Sequence, residues 1–556
     1  MKAFTEPLLS LAGFEEMTKT AEKSSGLISV TGCIDAQKSQ MIYAFGGHRK
    51  NKLIVTFGEQ KAKELYDEYS FFDKEVVYYP SKDVLFYQSD IRGNLLTAER
   101  IRALKAIHEQ ESVTLVTTFD ALMNTMAPIE KMWENVLTLE QGQLLDLKEI
   151  QAALIRMGYE KEYQVQTMGQ FSVRGGILDV FPLTEDNPIR IELWGDEIDT
   201  IRYFDCESQK SIENTDRVSI YPAAELVLSD EEKAGGIEKL KAEAKRVSDK
   251  LRKQMKTEEA HRVTVMADEL TEEWGELSMY AGMDAFLSYF FDERVGLLDY
   301  FNPSDSLIFF DELTRCAEQG KLTETEFSES MKQRLAMGYI LPGQMNGLFT
   351  EKEIVAKLGK YSCIALAALD NKANGLHQLG SYGIHCQSVS PYNNSFELLI
   401  KDLKRYKKNG YRVILLSGSR TRAKRLSEDI TDQGITCFYT ENYDHELFEG
   451  QIMVCYGKVR RGFEYPILKF AVITESDIFG AQQKKKKRHR TYEGEKIQSF
   501  TDLSVGDYVV HENHGLGIYR GIEKLEVDKK VKDYIKIEYQ GGSNLYILAT
   551  QLDMIQ

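Results

Sequence analysis

Between residues 26 and 127, short apolar runs recur with polar, helix-length stretches between them, at 27–30, 53–57, 76–79 and 114–117. A run that is apolar throughout needs cover on both faces, and connections of this length carry a helix. The pattern therefore specifies a parallel sheet with helices packed against it. At 556 residues the chain exceeds one ordinary core, because single domains settle at roughly 100 to 200 residues. Hydrophobic residues at 42%, charged residues at 28% and only 10 prolines describe folded domains rather than a disordered or fibrous chain. A formal net charge of −16 argues against a surface given over to phosphate backbone and leaves nucleic-acid contact to local patches. The 7 cysteines are scattered and never spaced C-x-x-C, which fits free thiols in a reducing compartment. No signal-peptide core opens the chain and no run of about 18 apolar residues occurs, so a cytoplasmic protein with no membrane partner is expected.

Farther along, the character changes near Leu137, and residues 171–204 read as closely spaced strands with turn residues. Helical periodicity returns over 231–276. The apolar run 307–310 then leads into Asp311-Glu312, where the first α/β domain resumes. A separate α/β unit fits residues 355–480, with strands at 413–416, 452–455 and 470–474 and no catalytic motif. The run Gln482-Gln483-Lys484-Lys485-Lys486-Lys487-Arg488-His489-Arg490 repels itself in any packed element and reads as a linker, with contact to DNA or to an acidic protein surface as the other reading. Beyond it, 507–511, 534–539 and 545–548 read as strands of a small barrel with Tyr508, Val510, Ile518, Tyr519, Ile535 and Ile537 among its core positions.

The segment Gly32-Cys33-Ile34-Asp35-Ala36-Gln37-Lys38-Ser39 lies between a strand and a helix, where a phosphate-binding loop belongs. Its spacing is G-x-x-x-x-Q-K-S. A working loop needs glycine before the lysine so that backbone N–H groups can curl around phosphate, and Gln37 stands there instead. Asp311-Glu312 has the form of a magnesium-holding acidic pair, although such a dipeptide is common by chance. A loop that keeps the architecture without the chemistry is expected; an active ATPase is the competing reading.

The run Arg174-Gly175-Gly176-Ile177-Leu178-Asp179-Val180-Phe181-Pro182, followed by residues 189–198 and Phe204-Asp205, resembles the UvrB-like module shared by UvrB and the bacterial transcription-repair coupling factors (Mfd). In UvrB the phosphate loop is intact and an aromatic hairpin enters DNA; the coupling factors' copy has lost both. Residues 80–96 leave no room for such a hairpin. The segment Gly506-Asp507-Tyr508-Val509-Val510-His511-Glu512-Asn513-His514-Gly515-Leu516-Gly517-Ile518-Tyr519 resembles the polymerase-interacting domain of the same family, a Tudor-like fold also found in CarD regulators. The resemblance implies an α/β multidomain chain. A UvrB-like α/β domain spans 1–127 and 222–350, interrupted by a β-rich, UvrA-binding insert at 128–221. A small α/β domain follows at 351–480, then a basic linker at 481–496 and an RNA polymerase-interacting barrel at 497–556.

What the resemblance implies for function is an adaptor. Coupling factors recognise RNA polymerase stalled at DNA damage, displace it with an ATP-dependent translocase motor, and recruit UvrA for nucleotide excision repair. The motor follows the polymerase-binding domain, and this sequence stops at Gln556. The chain is therefore expected to be no enzyme by itself and to hold no cofactor. ATP and Mg, and most contact with double-stranded DNA, belong to the absent motor. A CarD-like transcription regulator and a helicase-like ATPase are the alternatives.

Two docking surfaces follow. Alternation along 189–194 sets Ile189, Ile191 and Leu193 toward the core and Arg190, Glu192 and Trp194 toward solvent. Trp and Arg are frequent anchors of interfaces, though a Trp can equally cover a neighbouring strand with Arg stacked over it. By resemblance, Arg174, Arg190 and Trp194 match UvrA-binding positions, with Trp194 standing where the family more often has Phe. In the last domain, residues 521–526 read as an edge strand able to pair with a partner's sheet or to be capped by its own loop. The resemblance places Ile522, Lys524 and Leu525 against the polymerase β subunit. His511 and His514 form an H-x-x-H pair, but strand geometry sends them to opposite faces, so no metal is expected.

Overall fold

The computed structural model describes residues 1–46, 49–82, 94–276, 283–369, 375–480 and 503–548, except 512–514, 528–529 and 539–543. The expectations about residues 83–93 and about the basic run at 481–496 lie outside the described residues.

The first sheet has seven strands in the order Gln378–Gly383, Gly26–Thr31, Ser362–Leu366, Ser306–Asp311, Asn51–Thr56, Thr114–Thr118, Val77–Tyr79. Every neighbouring pair is parallel. Its central strands are apolar and buried on both faces, the condition for such a sheet. One face, with Leu27, Val55, Leu115 and Phe310, packs with the helices of residues 94–109 and 230–276. The other, with Ile28, Ile54, Val116 and Phe309, packs under the helices Lys2–Leu9, Asp35–Phe45 and Glu59–Tyr69.

The expected boundary at residue 350/351 is corrected here. Ser362–Leu366 lies between Gly26–Thr31 and Ser306–Asp311, and Gln378–Gly383 closes the edge, so the first sheet runs on to Gly383. Strands from distant sequence positions complete a parallel sheet by crossover, which local periodicity does not reveal.

The β-rich insert is a six-stranded sheet in the order Ser211–Thr215, Glu197–Phe204, Ile189–Trp194, Ile177–Val180, Gln170–Arg174, Glu160–Lys161, beside the pair Leu137–Glu140 and Arg217–Ile220. The chain then enters two long helices, Asp230–Lys253, opened by a Ser229/Glu232 capping box, and Thr257–Glu276. Trp274 is buried there against Phe286 and Phe290.

The second α/β sheet runs Gln387–Ser388, Phe463–Tyr465, Phe470–Thr474, Arg412–Ser417, Ile452–Tyr456, Phe438–Tyr439, its last four strands parallel. One face, with Leu416, Met453, Tyr465 and Val472, shares a single apolar cluster with the first sheet. Last comes a four-stranded antiparallel sheet, Tyr508–His511, Gly515–Val527, Lys530–Glu538, Asn544–Leu548. Its buried side chains include Val509, Tyr519, Ile535 and Ile537. Tyr508, expected inside, is exposed, because the strand sits one residue out of the expected phase.

Candidate functional site

The phosphate loop is filled by the protein's own groups. Lys38 is buried with its side chain 1% exposed, and its ammonium contacts Asp311 Oδ1 at 2.5 Å, Glu312 Oε1 at 2.9 Å and Asp35 Oδ1 at 3.1 Å. An ammonium has three protons, and all three are used. Asp311 Oδ2 accepts a further hydrogen bond from Thr56 Oγ1 at 2.9 Å. Burial opposes the charge on Lys38, but Asp311 and Glu312 hold its pKa above the ordinary value. Burial likewise pushes Asp35 up, yet Lys61 and Lys38 bring it down to about 2.

Backbone donors at the start of the loop are also taken. Gly32 donates to the carbonyl of Ala368 and Cys33 to that of Ala367. Gly32 is held at φ +78°, and a Cβ there would stand 2.0 Å from the carbonyl oxygen of Ile384. Gln37 is buried where the cradle glycine would be, and the hydroxyl of Tyr465 in the second module donates to the side-chain oxygens of Gln37 (3.1 Å) and Gln40 (3.2 Å). Ser39 is buried with its Oγ lacking a partner among the described residues. The fold brings the loop of Gly32, Gln37, Lys38 and Ser39 to Asp311 and Glu312. Lys38 and its carboxylates form an internal ion cluster, and Tyr465 caps Gln37 beside it, a contact that no local motif announced.

On the insert, Trp194 and Arg190 part company. Trp194 is 84% exposed at the hairpin turn that leads through Gly195 into Glu197–Phe204. Arg190 does not face solvent beside it, which corrects that expectation. Its Nε and one terminal nitrogen grip the buried Asp179 at 2.7 and 2.9 Å, the latter nitrogen also donates to Gln209 Oε1 at 2.8 Å, and the guanidinium lies 4.3 Å from the centre of the Phe204 ring. Asp179 faces Arg190 in register on the neighbouring strand, which makes this pairing nearly unavoidable. The half-buried Arg174 donates to the same carboxylate at 2.8 Å. Ile189 and Ile191 are buried as expected, while Leu193 is only half-buried because the register slips between Glu192 and Leu193.

Two features near Trp194 carried no sequence signal. Leu144 bridges to Glu197 and is itself exposed. A groove of about 630 Å³, lined by Glu140, Glu197, Asp199, Asp216 and Arg217, opens beside the indole.

In the C-terminal sheet, Gly515–Val527 pairs with Tyr508–His511 only over 515–518, whereas its pairing with Lys530–Glu538 extends to Val527. Among the described residues, Ile522, Lys524 and Leu525 therefore lie in a stretch bonded on one side, opposite Ile535, Asp533 and Lys532.

Comparison with known proteins bears on both surfaces. Residues 137–226 match the family model for the UvrB interaction domain, and residues 503–556 match that for the CarD-like/TRCF RID domain. The transcription-repair-coupling factor of Bacillus subtilis (strain 168) is 30% identical over 506 residues, covering 90% of this chain and 42% of the relative. The chain is thus similar to transcription-repair-coupling factors over nearly its whole length. The coupling factors of Staphylococcus haemolyticus (strain JCSC1435) and Staphylococcus aureus (strain USA300) are 29% and 28% identical, over 95% and 98% of the chain and 45% and 46% of the relatives. The chain thus spans less than half the length of these coupling factors. No helix among the described residues is long and apolar enough to cross a membrane.

Proposed function

We propose that this chain is the docking platform of a cytoplasmic transcription-repair-coupling factor: the insert binds UvrA, the C-terminal sheet binds the β subunit of RNA polymerase, and the α/β frame between them binds no nucleotide. In this reading the last sheet closes as a small Tudor-like barrel. ATP, Mg and translocation along double-stranded DNA belong to the rest of the whole protein.

The observation that carries the reading is Trp194, a large apolar side chain 84% exposed on a sheet whose neighbouring arginines are already paired. Aromatic anchors of this kind dominate protein interfaces once desolvated. Arg174 supplies a partly exposed cation two strands away on the same sheet, and Arg190 acts as a positioning residue that fixes Asp179 and the strand. The closed loop supports the absence of ATP chemistry, since a phosphate entering it would have to displace carboxylates from a Lys38 that already contacts three.

The test is a paired titration of the full chain against UvrA and against polymerase β. Trp194→Ala is expected to lose UvrA affinity by a factor of roughly 30 and to keep polymerase affinity. Loss of both or of neither defeats the two-surface platform.

A further inference from the structure

The second α/β module contributes to neither docking surface, and its carboxyl edge has a charge pattern that folding does not explain. Helix Arg420–Asp432 follows strand Arg412–Ser417, and its first two turns hold Arg420, Arg422, Lys424 and Arg425, all exposed, with no acidic residue in the first turn. Cations there oppose the helix dipole, so local stability does not account for them. The adjacent strand Ile452–Tyr456, aligned Ser417 to Tyr456, leads at the same edge into a loop carrying the exposed Lys458 and Arg461. Arg420 lies over the Tyr456 ring at 5.5 Å and joins the two segments.

Some of these charges are used internally: Arg420 pairs with Glu441 and Arg422 with Glu475. The Glu475 carboxylate also accepts from Gly418 N–H at 2.7 Å and Ser417 Oγ at 2.9 Å, so one anionic group is already seated at this edge. Lys424, Arg425, Lys458 and Arg461 have no carboxylate partner among the described residues, and the nearby Glu428 and Asp429 form no ion pair with them.

From this geometry we propose that the carboxyl edge of the second α/β sheet grips the phosphodiester backbone of duplex DNA. In open α/β sheets this edge is where ligands sit. A chain of net charge −16 repels a polyanion as a whole, so four uncompensated cations in one place select for one. Arg420 lies over the Tyr456 ring, and the hydroxyl of Tyr443 is spent on the Tyr456 carbonyl, so the cations rather than stacked bases set the contact, which favours the backbone. Binding is therefore sequence-independent and strongly salt-dependent.

The experiment is fluorescence anisotropy of the full chain with a labelled, undamaged duplex of about three helical turns, titrated between about 50 and 200 mM salt. The variant joins Arg425→Ala, Lys458→Ala and Arg461→Ala; a charge-matched control joins Lys241→Ala, Lys245→Ala and Lys250→Ala on the exposed face of Asp230–Lys253. The patch variant is expected to lose at least about tenfold in affinity and to flatten the slope of log K against log salt by roughly 0.9 per lost phosphate contact. The control is expected to move less than about twofold, and each single patch substitution to take its own share of the slope, a readout that unfolding does not mimic. No binding by the unaltered chain at low salt, which would reassign the patch to an acidic protein, overturns the proposal. So does equal loss in patch variant and control, or no loss in the patch variant.

Discussion

Trp194→Ala is expected to weaken UvrA binding by about 2 kcal/mol without moving the thermal midpoint, because the indole touches little of its own protein. Arg190→Ala is expected to weaken the same binding while also lowering the midpoint. Its removal strips the buried Asp179 of its two-bonded partner and leaves only Arg174, a loss of about 2 kcal/mol or more. Calorimetry of the two variants beside their UvrA titrations separates the roles, and equal midpoints would defeat the distinction. Period-two alternation in the sequence is enough to put Arg190 and Trp194 on one face. It says nothing of Asp179 as the opposing residue, since register belongs to strand pairing rather than to either strand alone. Lys38 was legible in the same partial way: spacing put it in a loop, and only the fold brought Asp311 to it across 273 positions.

At the scale of elements, helix Glu59–Tyr69 buries Glu68 near Lys61 and Arg460, and burial pushes its carboxyl from the ordinary 4.5 up to about 7. A raised carboxyl contributes stability that is full below 4.5 and lost as pH rises through about 7. Glu68→Gln is therefore expected to be more stable than the unaltered chain at pH 8, with the gap closing toward pH 4.5; a gap constant across that range refutes it. In the C-terminal sheet, Leu525→Arg is expected to abolish polymerase β binding, because it sets a charge on the strand stretch that is free to pair. Periodicity located the strand Ser306–Asp311 and the start of Asp230–Lys253 to within a residue, but not the break that divides 231–276 into two helices. The reading by sequence assigns Ser362–Leu366 to the second unit, and its place in the first sheet was not legible, because a crossover connection leaves no periodic trace.

For the whole molecule, the full chain is expected not to bind magnesium-ATP more tightly than about 100 μM, equivalent to roughly 5.5 kcal/mol, by isothermal titration; a tighter constant defeats the closed-loop reading. Gln37→Gly is expected to leave that result unchanged, since Lys38 remains bound to its three carboxylates and the donors of Gly32 and Cys33 remain occupied. The apolar cluster shared by the two α/β sheets joins them into one body, so the two modules are expected to melt in a single calorimetric transition. Two separate transitions would refute that coupling. A chain cut at residue 350 loses a central strand of its first sheet, and is expected not to fold. In the ion cluster around Lys38, any one substitution that frees the lysine strands a buried carboxylate, and any one that removes a carboxylate leaves the lysine poorly matched, so each single step toward an open loop costs stability. Opening this loop to phosphate therefore takes concerted changes at Lys38 and its carboxylates rather than one substitution.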